Sequence, residues 1–261
     1  MRIAIITIAG KSSRFNKDIP KEKQQHKCIY HEGDDTNTLL YHLLTKCSYA
    51  DRVILVGGNQ YEAVQDYCDR LPQEMREKID LVYNGHYEDL ASGYSLYLGL
   101  THMFETYRAI EDVLFVEGDL DIDQSSFEKV VSSKGDVLTY SYEPIFTKKA
   151  VVLYRNAKGE YHYAFNSDHG LLTIQEPFSL ILNSGQMWKF ANAGMLKEAM
   201  DAFYHKEKDG TNLIIIQNYI DAVGSDDFQR VGLSRWTNCN TRQDYWKIQS
   251  YWEEEENENI K

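Results

Sequence analysis

Apolar runs at Ile3–Ala9, Arg52–Gly58, Asp80–Asn84 and Asp112–Gly118 alternate with longer segments whose apolar residues recur at helical intervals: Thr38–Tyr49, Gln60–Leu71 and Leu90–Tyr107. Strands that alternate with helices imply βαβ units, and such units build a mostly parallel sheet with helices on both faces. In Leu90–Tyr107 the residues Tyr94, Tyr97, Leu98 and Thr101 keep the helical spacing without a proline, so the helix is expected to open at Ser92–Gly93. After Asp119 the texture changes. The runs DVLTYSYE, KKAVVLYRN, GEYHYAF and FSLILNSGQMWKF are short, β-branched and aromatic, and NAKGE spells a turn between the second and third. These predict mixed or antiparallel strands inserted into the parallel plan. Further helices are expected near Ala193–Tyr204, Leu213–Val223 and Thr241–Trp252, before a tail, EEEENENIK, that should fray into solvent. No internal repeat and no linker rich in Pro, Gly or Ser divides the chain. One domain over 1–261 is therefore expected, with halves at 1–135 and 136–240 and a C-terminal helix and tail at 241–261.

At 261 residues the chain can bury about three quarters of its unfolded surface. Acids outnumber bases 40 to 28, and the net charge of −12 argues against a nucleic-acid partner, which needs clustered Lys and Arg. A small anion can still bind a local basic loop. Cys28, Cys47, Cys68 and Cys239 show no CxxC spacing, so neither a zinc knuckle nor a disulfide framework is indicated and a reducing cytoplasm is the simplest location. His26, His86 and His169 also lack an H-x-x-x-H or H-x-H partner. The apolar run at Ile3–Ala9 is too short for a membrane span, and no export signal is evident.

The opening RIAIITIAGKSSRFN carries a strand into a glycine-containing loop, where consecutive backbone N–H groups can converge on phosphate oxygens. The letters GKS suggest a P-loop, but that motif needs a glycine where Ile5 stands. A dinucleotide fingerprint needs glycines where Ser12 and Phe15 stand.

Ala9-Gly10-Lys11-Ser12-Ser13-Arg14-Phe15 instead resembles the A-G-x-G-[ST]-R-[MLF] signature of the nucleotidyltransferases, with Ser12 in place of the second glycine. The family's later lysine is matched by Lys27, with His26 where a proline usually precedes it. Residues 82–100 are similar to a segment of choline-phosphate cytidylyltransferase-like enzymes, through Asn84, Tyr87, Ser95, Leu96, Tyr97 and Leu98. A third mark is Leu114–Asp121, an apolar strand ending in acids, and a fourth is WTNCNTRQD from Trp236, similar to W-x-E-I-D-T-x-x-D-L. There Asn238 and Asn240 replace the family's acids.

The resemblance implies a doubly wound, mostly parallel, Rossmann-like mixed sheet of the α/β class, with an antiparallel β insertion forming the acceptor side. It implies transfer of CMP from CTP to a small phosphorylated or phosphonate acceptor, of the phosphocholine or 2-aminoethylphosphonate type, with release of pyrophosphate. Ala9, Gly10, Lys11, Ser12 and Ser13 would cradle the phosphates, Arg14 and Lys27 would offset their charge, and Asn84, Ser92 and Gly93 would meet the base. Mg²⁺ would be held by Asp119 with Asp121 and Asn240. On the acceptor side the candidates are Asp121, Trp188, Lys189 and Trp236, with Tyr140 and Tyr142 completing an aromatic box for a quaternary ammonium. Such aromatics more often pack in cores, and Lys148 and Lys149 more often lie in solvated turns. Two other classes stay open. Asp119-Leu120-Asp121 also spells the D-x-D of a nucleotide-sugar glycosyltransferase, and Asn240 suits a nucleotide-binding relative that has lost catalysis.

Overall fold

The computed structural model describes residues 1–147, 150–166 and 170–259; Lys148, Lys149 and His169 lie outside the described residues, as does the end of the tail. Four parallel strands form the first half: β1 (Arg2–Ile8), β2 (Arg52–Gly57), β3 (Ile79–Tyr83) and β4 (Asp112–Glu117). They are joined by α1 (Leu39–Lys46), α2 (Tyr61–Arg70), the short α3 (Gln73–Arg76) and α4 (Ser92–Thr106). The expected opening of α4 at Ser92 is observed. β1 shows why its apolar run is continuous rather than alternating: Ile3 and Ile5 pack into the core on the α4 side, while Ala4, Ile6 and Ile8 pack on the other face with Leu40, Leu43 and Val64 of α1 and α2.

The second half supplies β5 (Leu120–Ile122), α5 (Gln124–Ser132), β6 (Val137–Ser141), β7 (Val152–Asn156), β8 (Tyr161–Ala164), β9 (Phe178–Phe190), α6 (Ala193–Lys206), α7 (Asn212–Val223), β10 (Gln229–Leu233), β11 (Trp236–Asn238) and α8 (Arg242–Asn259). The main path of the sheet is β10-β6-β9-β4-β1-β2-β3. The long β9 joins the halves. Its carboxyl end pairs antiparallel with β4 on one side and with β6 on the other, the β6 pairing running back to Asn183, and its first residues pair with β7, which continues to β8. β10 then returns parallel to β6, and β5 forms a separate antiparallel ladder with β11. Helices α4, α6 and α7 cover one face of the sheet, and α1, α2 and α5 cover the other.

The acidic tail departs from expectation. Rather than fraying after Trp252, α8 continues to Asn259, because Trp252 is buried, donates from Nε1 to Asp121 Oδ1 (2.9 Å) and stacks on His42 with ring centroids 3.7 Å apart. Arg235 adds an ion pair to Glu255 (2.8 Å). Among the described residues no helix is long and apolar enough to cross a membrane.

Two histidines are held neutral by this packing. Burial, reinforced by Lys27 and opposed by the Ile8 carbonyl, pushes His26 down to about 4; burial and Lys46 do the same to His42. The folded pKa lies below the unfolded one, so the unfolded chain binds protons first. Each contribution is therefore intact above about pH 6.5 and is lost as pH falls toward about 4, by on the order of 2–3 kcal/mol. A His42→Phe variant, which keeps a ring against Trp252, should show a flatter decline of the urea midpoint between pH 6.5 and 4 than the wild type. Parallel declines would refute the assignment.

Candidate active site

The loop after β1 turns on Ser12, whose φ of 54° lies in the left-handed region, normally a glycine's. Local bonds hold it there: its carbonyl accepts from Asn16 N (3.0 Å) and its Oγ from the backbone N–H of Lys27 (3.3 Å). Phe15 anchors the end of the loop, buried against Tyr30 and beneath the Arg242 guanidinium (5.1 Å to the ring centroid). Ser12 thus holds a backbone conformation that ordinarily favours glycine. Gly10 faces open space, and Ser13 and Arg14 are exposed. Lys11 reaches across to Glu88 (3.6 Å).

β4 runs beside this loop and ends at Glu117, with Asp119 in the turn that follows. Two adjoining cavities share these carboxylates as a wall. The first, about 270 Å³, is lined by Ala9, Gly10 and Lys27 on one side and by Asn84, Ser92 and Ser95 on the other. The second, about 470 Å³, is lined by Arg14, Glu143, Phe146, Trp236, Asn240 and Lys247. The β5–β11 ladder brings the second group close, pairing Asn238 with Leu120, and Cys239 N donates to the Asp119 carbonyl (2.8 Å).

Charge at the wall is unevenly met. Lys27 Nζ lies 2.5 Å from Asp119 Oδ2, and both side chains are largely buried. Burial alone would lower the Lys27 pKa, but Asp119's charge and hydrogen bond outweigh it and raise it above its ordinary value. Burial and then repulsion from Asp119 push Glu117 up to about 7, against the donation from Asn212 and the charge of Lys27. Sequence reasoning had passed over Glu117, although it was legible as an acid closing the same apolar strand as Asp119. A line of amides, all donating in one direction, leads to it. Asn240 Nδ2 donates to Asn238 Oδ1 (2.7 Å), Asn238 Nδ2 to Gln186 Oε1 (3.3 Å), and Gln186 Nε2 to Glu117 Oε2 (3.0 Å). Asn212 Nδ2 donates to the other oxygen, Oε1 (2.8 Å). Gln186, itself at a φ of 52°, and Lys247 were likewise not singled out from sequence.

Several expected site residues lie elsewhere. Asp121 is 2% exposed and faces Lys46 (3.4 Å), Arg235 (3.3 Å) and Trp252, so it shares neither a metal position nor an acceptor pocket with Asp119. Trp188 is a core residue, stacked on Phe115 with centroids 5.2 Å apart and donating to Tyr163 Oη (2.7 Å), which removes it from the acceptor side and dissolves the aromatic box. Lys189 sits at the opposite end of the sheet, paired with Asp112 (3.2 Å) and donating to the Val131 and Ser133 carbonyls. Gly93 donates its N–H to the Gly210 carbonyl (3.1 Å), and a Cβ there would lie 2.5 Å from that oxygen, so it serves close packing rather than a nucleotide. Asn84 Nδ2 donates to Ser95 Oγ (2.9 Å), and Asn84, Ser92 and Ser95 all line the first cavity at the start of α4.

A family model described as Domain of unknown function (DUF6564) matches residues 23–252. The chain belongs to that family. No curated protein matches it in sequence. Among solved structures, the DUF6564 chain is similar to the inositol-1-phosphate CTP transferase of T. maritima, at 15% identity and a TM-score of 0.66, over 96% of this chain and 95% of that one. It is also similar to the CTP:phosphocholine cytidylyltransferase LicC of Streptococcus pneumoniae, at 15% identity and a TM-score of 0.60, over 97% of this chain and 100% of that one. HddC from Yersinia pseudotuberculosis follows at 14% identity and a TM-score of 0.63, over 97% and 100%. The DUF6564 chain therefore has the nucleotidyltransferase fold that its motifs resemble.

Two variants check this geometry. Ser12→Gly, which suits the left-handed backbone, should leave stability within about 1 kcal/mol of wild type, whereas Ser12→Val should cost about 2 kcal/mol or more in urea unfolding. Equal effects would contradict the loop conformation. Glu117's folded pKa lies above its unfolded value, so its contribution is present below about pH 4.5 and lost as pH rises through about 7. Glu117→Gln should accordingly raise the melting temperature at pH 8 relative to wild type, and this gain should vanish below about pH 5.

Proposed function

We propose that the protein is a nucleotidyltransferase that moves CMP from CTP to a small phosphorylated or phosphonate acceptor, of the phosphocholine or 2-aminoethylphosphonate type, and releases pyrophosphate. The observation that carries this reading is the Glu117–Asp119 wall between two cavities, one bordered by the β1 loop and the other by cationic and aromatic side chains. Transfer between two bound phosphates depends on positioning and charge neutralisation, with little covalent work for the protein.

In this reading the nucleotide occupies the first cavity. Gly10 to Ser13 present backbone N–H groups to the β- and γ-phosphates, and Ser92 and Ser95 meet the base. The acceptor lies in the second cavity, its anion near Arg14 and Lys247. Its ammonium faces Glu143, Trp236 and Phe146, which replace the box expected from sequence. An acceptor oxygen attacks the α-phosphorus, a new P–O bond forms, and the bond to the bridging oxygen breaks so that pyrophosphate departs with its electron pair. Lys27 and Arg14 stabilise the charge that accumulates.

The donor set suits Mg²⁺. Glu117 and Asp119 are hard oxygen ligands whose mutual repulsion a divalent cation would relieve, and Asn240 Oδ1 adds a neutral oxygen. Among the described residues no three His, Cys, Asp or Glu side chains converge, so the ion would share its coordination with substrate phosphates rather than sit in a protein cage. Bound there, it would neutralise phosphate charge and bring the two reacting phosphates together.

Against the glycosyltransferase reading stands Asp121, which a D-x-D motif needs at the metal and which is instead enclosed by Lys46, Arg235 and Trp252. Pyrophosphate release should be measured with CTP and a panel of phosphocholine, 2-aminoethylphosphonate and sugar phosphates. CTP with a phospho- or phosphonoamine should give turnover, and Asp119→Ala should lower it by about 10²–10³-fold with the fold intact. Consumption of a nucleotide sugar without pyrophosphate would overturn the reaction class, and CTP binding without turnover for any acceptor would favour a non-catalytic relative.

A further inference from the structure

Lys27 reaches the site from a segment that is itself fixed. Its backbone N–H donates to Ser12 Oγ, His26 before it is buried with Nε2 on the Ile8 carbonyl (2.7 Å), and Cys28 after it is buried. Only the side-chain torsions of Lys27 remain to move its ammonium. That ammonium lies 2.5 Å from Asp119 Oδ2, and the residue lines the first cavity beside Ala9 and Gly10.

The carboxylate best placed to take a cation therefore already has one in the ammonium of Lys27. A divalent ion on the same oxygen would lie about 2.1 Å from it and face an ammonium only a few ångströms away. Phosphates entering beside Gly10 offer Lys27 a new anionic partner within the same cavity. Such an exchange would release Asp119.

We propose that Lys27 is an internal counter-ion that makes divalent-cation binding at Asp119 conditional on nucleotide phosphate. The inference rests on the metal-dependent reading above and adds an order to it: cation and triphosphate bind together, each raising the affinity for the other by the same factor. In the exchange a monovalent ammonium leaves Asp119 for the phosphates as a divalent cation arrives, so the carboxylate keeps a cationic partner throughout. It also keeps the buried Glu117–Asp119 wall from standing as uncompensated negative charge in the free protein.

The test is Mn²⁺ binding to the full chain, read by the loss of the free-ion electron paramagnetic resonance signal. After subtraction of the Mn²⁺ held by CTP in a protein-free titration, wild type should bind Mn²⁺ weakly alone and at least about tenfold more tightly when saturated with CTP. Lys27→Met should bind Mn²⁺ without nucleotide at least about tenfold more tightly than wild type, and adding Asp119→Asn should remove that gain. Lys27→Arg, which preserves the charge and makes the smaller change to the cavity, should exclude the ion as wild type does. Equal Mn²⁺ affinity in nucleotide-free wild type and Lys27→Met, or a gain that survives Asp119→Asn, would overturn the counter-ion role alone. Exclusion of Mn²⁺ from CTP-saturated wild type would overturn both that role and the metal-dependent reading.

Discussion

β4 is held by hydrogen bonds to β1 on one side, running parallel, and to β9 on the other, running antiparallel, and everything at the site follows from where that strand stops. Its interior residues, Val113 to Val116, are buried on both faces, so the first acids that can escape the core are those at its carboxyl end. There Glu117 and Asp119 emerge beside the β1 loop. The antiparallel neighbour matters as much as the parallel one. Because Val116 pairs with Met187, the next position along β9 sets Gln186 against Glu117 and ties the second half of the chain to the first.

The site concentrates conformations and charges that are unfavourable in isolation. Ser12 and Gln186 both hold left-handed backbones without being glycine, and Glu117 is pushed toward neutrality by burial and by Asp119. Such features persist only where the surroundings over-determine them. Here the surroundings are two cores packed on opposite faces of one sheet, together with a C-terminal helix locked by Trp252 and Asp121. Asp121 thus acts as a structural partner for that helix, while its neighbour two residues earlier meets Lys27.

What was legible in sequence follows the reach of local physics. Continuous apolar runs mark β1, β2 and β4 because strands buried on both faces need them, β3 is a half-buried edge strand, and the start of α4 is readable from its spacing. Of the residues the loop motif marks, Gly10 and Lys27 line the first cavity and Arg14 the second. The expectation of a shared metal at Asp119 and Asp121 failed because spacing by two implies a common face only within one strand. Here Asp119 lies in the turn and Asp121 within β5. Trp188 and Lys189 failed for a related reason. Both lie on the part of β9 that pairs with the interior of β4, where a tryptophan fills core and a lysine must find a buried acid such as Asp112. Glu117, Gln186 and Lys247 depend on pairings between distant segments, which a local pattern cannot supply.

The proposed transfer requires two substrates to meet across the Glu117–Asp119 wall. Anomalous diffraction from crystals of the full chain grown with Mn²⁺ and a non-hydrolysable CTP analogue tests it most directly. The expected result is an Mn²⁺ peak in contact with Asp119 or Glu117 and a phosphate, with the triphosphate along Gly10 to Ser13 and the base beside Ser92 and Ser95. A nucleotide lodged elsewhere, or a metal peak at Asp121, would contradict it.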